Sequence, residues 1–186
     1  MCIRDRLSAS GNWSKKPDVA VVVFGEEPYA EGQGDVHTLA YRNGRMEDLE
    51  LIQKLQSQDI PVVSVFITGR PLWVNAEINS SDAFVVAWLP GTEGGGVADV
   101  LVADSDNNPR YDFTGRLSFD WPNKDMNSQD EALPVFDNLL QLGQGLSYGD
   151  DSILSDSLSE VSAAAPSSEA NIIFSGSSQE PWLAYV

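Results

Sequence analysis

The chain has 186 residues, 28 acidic and 11 basic, for a formal net charge of −17. Such a charge repels phosphate backbones and anionic membranes, which argues against nucleic-acid or membrane partners and leaves neutral substrates such as sugars compatible. The single cysteine, Cys2, excludes an internal disulfide, and the single histidine, His37, leaves no Cys/His set for a zinc site. Hydrophobic residues at 42% suffice for one ordinary core, and no apolar run reaches the roughly 18 residues of a membrane span.

Met1 to Arg6 has no apolar h-region and does not read as a signal peptide. Residues 1–16 are expected to be a non-native or partial N-terminal segment. Asp18-Val19-Ala20-Val21-Val22-Val23-Phe24 is continuously apolar, rich in β-branched residues and closed by Gly25, the pattern of a strand buried on both faces. A polar loop follows, and Arg45 to Gln58 reads as a helix with Met46, Leu49, Ile52 and Leu55 on one stripe. Pro61 to Ile67 is a second buried strand, Gly69-Arg70-Pro71 a turn, and Leu72 to Asn79 a short helix. Ala83 to Trp88 is a third strand. Thr92 is placed to cap a helix from Glu93 to about Val102.

Strand–helix alternation of this kind specifies a parallel sheet with helices on its faces, a three-layer α/β sandwich. Ligands of such sheets sit beyond the carboxyl ends of the strands, here the loops starting at Gly25, Thr68 and Leu89. Past the turn-rich Asp104 to Pro109, Leu117 to Trp121 reads as a further strand closed by Pro122. Residues 17–149 therefore form the domain. Residues 150–170, rich in serine and aspartate, read as a flexible linker. Ile172 to Phe174 and Trp182 to Val186 are strand-like, so 171–186 reads as the start of a truncated β domain.

Three patterns resemble chemistry without its context. Gly91-Thr92-Glu93-Gly94-Gly95-Gly96 opens a helix like a phosphate loop, but it lacks Lys-Ser/Thr and Glu93 would repel phosphate. Gly145-Leu146-Ser147-Tyr148-Gly149 matches a nucleophile elbow, but an acidic serine-rich segment follows where a helix is required. His37 reads as a loop residue. The informative segment is Gly25-Glu26-Glu27-Pro28-Tyr29-Ala30-Glu31-Gly32-Gln33-Gly34-Asp35, with four carboxylates in ten residues at a strand's carboxyl end. Crowded carboxylates favour a protonated acid, as a general acid requires. The same spacing also fits a solvated acidic loop or a divalent-cation site.

This loop resembles the acid/base loop of glycoside hydrolase family 3, in particular its exo-acting β-glucan glucohydrolases and β-glucosidases. The resemblance continues in Phe66-Ile67-Thr68-Gly69-Arg70-Pro71, in Ala87 to Gly94, in Phe113 to Leu117 with Trp121-Pro122, and in Leu142 to Tyr148. It implies a two-domain active site. A (β/α)-barrel carries the nucleophilic aspartate, and this α/β sandwich carries the acid/base. The chain then is a fragment, inactive alone, whose partner is the N-terminal barrel of the same polypeptide. Its substrate is a β-linked gluco-oligosaccharide cut at the non-reducing end, no cofactor is needed, and the setting is periplasmic or extracellular. The resemblance implies Glu26 as general acid/base, because it directly follows the strand-ending glycine. The competing expectation is a non-catalytic, flavodoxin-like binding or assembly module with a cation-binding acidic loop.

Overall fold

The computed structural model describes residues 13, 15–41, 46–125, 137–151, 154–155 and 157–162. Residues 171–186, expected to begin a β domain, lie outside them. Strands β1 (Ala20–Gly25), β2 (Val62–Ile67) and β3 (Ala83–Trp88) alternate with helices α1 (Glu47–Gln56), α2 (Asn75–Asn79) and α3 (Gly94–Leu101). The short strands β4 (Trp121–Pro122) and β5 (Asn138–Leu140) follow. The first three strands form one parallel sheet in the order β1-β2-β3, with Ala20 opposite Val62 and Gly25 opposite Ile67. Their valines, isoleucine and phenylalanines suit the pleated, packed surface of a sheet. The expected α/β architecture is thus observed.

The core lies between the sheet and α1. Leu49, Ile52 and Leu55 of the expected stripe are buried, whereas Met46 stands before the helix and is exposed. Phe66 is fully buried at the centre of an aromatic group. Its ring centroid is 4.8 Å from Tyr41, 5.4 Å from Phe24 and 5.9 Å from Phe84.

Several elements differ from expectation. The apolar run of β1 is buried on one face only. Ala20, Val22 and Phe24 point into the core, while Val19, Val21 and Val23 are 50–64% exposed. Among the described strands β1 is at the sheet's edge, and alternation turns every second valine away from the α1 side. Helix α2 starts at Asn75 rather than Leu72, because the preceding backbone is used elsewhere: Trp73 N donates to Leu39 O and Tyr41 N donates to Trp73 O. Thr92 does not cap α3. Glu93 holds the N-cap position with no side-chain cap, and the Thr92 hydroxyl donates to the Glu93 carboxylate instead.

Instead of a strand over Leu117 to Trp121, only Trp121 and Pro122 pair, antiparallel, with β5. Leu117 turns to Gly143 and Gln144, where Leu117 N donates to Gln144 O and Gly143 N donates to Leu117 O. Trp121 is buried edge-on against Trp88, with ring centroids 6.0 Å apart. Beside this pair, hydrogen bonds from Lys124 and Asn123 hold the exposed Asp137 carboxyl below the usual carboxylate range.

The expected linker is partly docked. Leu158 is buried, its N–H donates to Asn79 Oδ1 at 2.9 Å, and Asn79 Nδ2 donates to Leu158 O at 2.9 Å and Glu160 Oε1 at 2.7 Å. Asn75 Nδ2 donates to Ser159 O at 2.9 Å. Serine-rich composition signals chain flexibility only where nothing captures the backbone, and here two asparagines of α2 do so. Asn79→Ala removes three of these bonds. It should cost about 1–3 kcal/mol and speed cleavage within 157–162 in limited proteolysis followed by mass spectrometry. An unchanged cleavage rate there would show that the docking is not held by Asn79.

Candidate active site

The site is built at the carboxyl end of the β1/β2 pair. A Cβ on Gly25 would sit 2.0 Å from Ile67 O, so only glycine lets the strands close at this point. The closure lets Glu26 N donate to Ile67 O at 3.0 Å, and it lays the Glu26 side chain across the end of β2. The Tyr41 hydroxyl, at 2.9 Å from Gly25 O and 3.0 Å from Asp48 Oδ2, supports the turn from the core side.

Glu26 is engaged through both oxygens. Oε2 accepts from Gly69 N at 3.2 Å and from the Thr68 hydroxyl at 2.7 Å, whose one proton also faces Arg70 O at 2.7 Å. Oε1 pairs with Arg70 Nε at 3.0 Å, and the two side chains are only 15% and 20% exposed. Arg70 reaches further. Its Nη1 donates to Gly34 O at 2.5 Å, and its guanidinium carbon lies 4.1 Å from the centroid of the Tyr29 ring. Tyr29 fits because Gly34 and Gly69 leave room for it. A Cβ on Gly34 would meet the ring at 2.7 Å, and one on Gly69 would meet the hydroxyl at 2.6 Å.

The other acidic side chains of the loop are not part of this hydrogen-bonded group. Glu27, Glu31 and Asp35 are exposed. Glu31 opens a single 3-10 turn, Glu31–Gly34, with φ +47°, a left-handed conformation rare for a residue with a Cβ. The crowding expected from spacing is therefore not realised, because Glu26 faces Arg70 rather than its acidic neighbours. Among the described residues no group of three His, Cys, Asp or Glu could hold a metal ion. His37 is an exposed loop residue. Ser147 lies in a turn, its N–H donating to Asp150 Oδ2 and its carbonyl accepting from Asp150 N, without the strand and helix of a nucleophile elbow.

Arg70 and Tyr29 were legible only as members of motifs. A signal for their role was present: parallel β1 and β2 end side by side, so the residues after each end must meet, and those residues are Glu26 and Thr68-Gly69-Arg70.

Residues 4–155 match the glycosyl hydrolase family 3 C-terminal domain. The chain belongs to glycoside hydrolase family 3. Its structure is similar to that of an exo-1,3/1,4-beta-glucanase (ExoP) from a Pseudoalteromonas species, with a TM-score of 0.75 and 48% identity over 83% of this chain and 19% of that one. In sequence it is 32% identical over 146 residues to a lysosomal beta glucosidase of Dictyostelium discoideum, covering 73% of this chain and 16% of that protein. It is 34% identical over 113 residues to a periplasmic beta-glucosidase of Salmonella typhimurium, covering 59% of this chain and 13% of that protein. This family 3 chain thus spans well under a fifth of the length of these curated relatives. The family match takes in residues 4–16, and Trp13 packs partly buried against the core.

Proposed function

We propose that this family 3 chain is the acid/base domain of a retaining β-glucosidase or exo-β-glucanase, working with a barrel domain of the same polypeptide. The observation that carries the reading is the braced acidic loop at the carboxyl edge of the parallel sheet. The names of the similar proteins support a β-glucosidic substrate, here a β-linked gluco-oligosaccharide trimmed at its non-reducing end. The periplasmic relative supports a periplasmic or extracellular setting.

In the proposed reaction a barrel carboxylate attacks the anomeric carbon while the loop carboxyl passes its proton to the departing glycosidic oxygen. The same group, now a carboxylate, takes a proton from the water that releases the sugar, and two inversions give net retention. We assign the loop carboxyl to Glu31 rather than to Glu26. Both Glu26 oxygens already accept hydrogen bonds from the end of β2, so Glu26 acts as a tether. Glu31 is exposed, and it lies between two residues that Arg70 holds, Tyr29 and Gly34. A non-glycine residue kept in a left-handed conformation at such a place fits a reactive group set by its surroundings.

The test is product stereochemistry. The whole polypeptide that carries this domain, given β-1,3- and β-1,4-linked gluco-oligosaccharides, should release β-glucose first, as followed by proton NMR before mutarotation. Release of α-glucose first, or no hydrolysis of either linkage, would sink the reading.

A further inference from the structure

We propose that Arg70 is a positioning residue for the acid/base, fixing the loop that carries Glu31 by gripping it at three points. The inference rests on the assignment of Glu31 as proton donor. The grips are Glu26 at the loop's start through Nε, the Tyr29 ring through the guanidinium face, and Gly34 O beyond Glu31 through Nη1. Arg70 is itself anchored, since its N–H donates to the Thr68 hydroxyl at 3.2 Å and its carbonyl lies 2.7 Å from that oxygen. The group is sheltered, with the Arg70 and Glu26 side chains 20% and 15% exposed, so it is held more firmly than a surface ion pair.

Only arginine can make this arrangement. Its rigid planar fork offers donors in separate fixed directions and a flat face for the ring, whereas lysine offers one compact charge. Between Tyr29 and Gly34 the backbone reaches Glu31 at φ +47°, a conformation that persists where its surroundings over-determine it. With Arg70 removed, both sides of that segment lose their anchor on the turn after β2. Protonation of the leaving oxygen needs the acid within hydrogen-bond reach, and a displacement of about 1 Å can cost on the order of 10²-fold.

The experiment compares Arg70→Ala, Arg70→Lys, Glu31→Ala and the Arg70→Ala/Glu31→Ala double variant in the whole polypeptide, on an oligosaccharide and on a dinitrophenyl β-glucoside. Arg70→Ala should lose about 10²-fold in kcat/KM on the oligosaccharide and little on the dinitrophenyl glucoside, whose leaving group needs no proton. Arg70→Lys should fall between Arg70→Ala and the parent. In the double variant, loss of Arg70 should cost nothing beyond Glu31→Ala, because it acts through Glu31. Equal losses of Arg70→Ala on both substrates, or an added loss in the double variant, would overturn the proposal by showing a role in folding or sugar binding. If Glu31→Ala itself shows no leaving-group dependence, the assignment of Glu31 fails first, and the role of Arg70 fails with it. If Glu31→Ala shows the dependence and Arg70→Ala does not, only the role of Arg70 fails.

Discussion

Replacement of Glu31 by alanine in the whole polypeptide should lower kcat/KM on a β-linked gluco-oligosaccharide by about 10²–10⁴-fold, the usual worth of a positioned acid–base group. The loss should depend on the leaving group. A sugar alkoxide cannot depart unprotonated, whereas dinitrophenolate can, so the first step on a dinitrophenyl β-glucoside should be nearly intact. The second step still needs a base, and glycosyl-enzyme should accumulate on the barrel domain. Azide attacks without losing a proton. It should therefore restore turnover and yield the β-glycosyl azide. Glu26→Ala should show a smaller loss, about that of Arg70→Ala, because it releases the tether and leaves the proton donor in place. Glu27→Ala should change little, since Glu27 lies outside the segment that Arg70 grips between Tyr29 and Gly34. If Glu26→Ala gives the azide product and Glu31→Ala does not, the position directly after β1 is the acid/base after all, and its bonds to Arg70 and Thr68 open during the reaction.

The largest effect on stability should come from Phe66→Ala. Phe66 is fully buried in the middle strand and contacts the rings of Phe24, Tyr41 and Phe84. Truncation removes its buried area and three ring contacts and leaves a cavity walled by a parallel sheet, which cannot collapse without breaking strand pairing. The expected cost is about 3–5 kcal/mol, a large share of the roughly 5–15 kcal/mol that holds a domain folded. Urea unfolding of the chain should show a lowered midpoint with an unchanged slope. Val21→Ala is the control. Val21 is in the neighbouring strand but 53% exposed, so it should move stability by no more than about 0.5 kcal/mol. Similar losses from the two changes would mean that the outer face of β1 is covered in solution.

The sequence by itself determined the local elements, because their signals are local. β-branched runs marked three strands, the apolar stripe marked α1, and alternation of the two marked a parallel sheet. It also pointed to the loop after Gly25 as the candidate site, since ligands of parallel sheets gather at the strands' carboxyl ends. Tertiary structure alone decided what depends on neighbours. Which face of β1 is buried follows from the strand's place at the edge and from α1 packing on one side, neither of which is written in a run of valines. That residues 157–162 dock follows from Asn75 and Asn79, far away in sequence. Among the carboxylates of the acidic loop, spacing offered no physical ground for choosing between a tether and a proton donor. The proposed assignment of Glu31 in place of Glu26 rests on where Arg70 lies, because β2 delivers Thr68, Gly69 and Arg70 to the end of β1 and their donors occupy Glu26. A carboxylate's role is set by the groups that reach its oxygens, and those come from a strand some forty residues on, brought alongside only by the parallel pairing of the sheet.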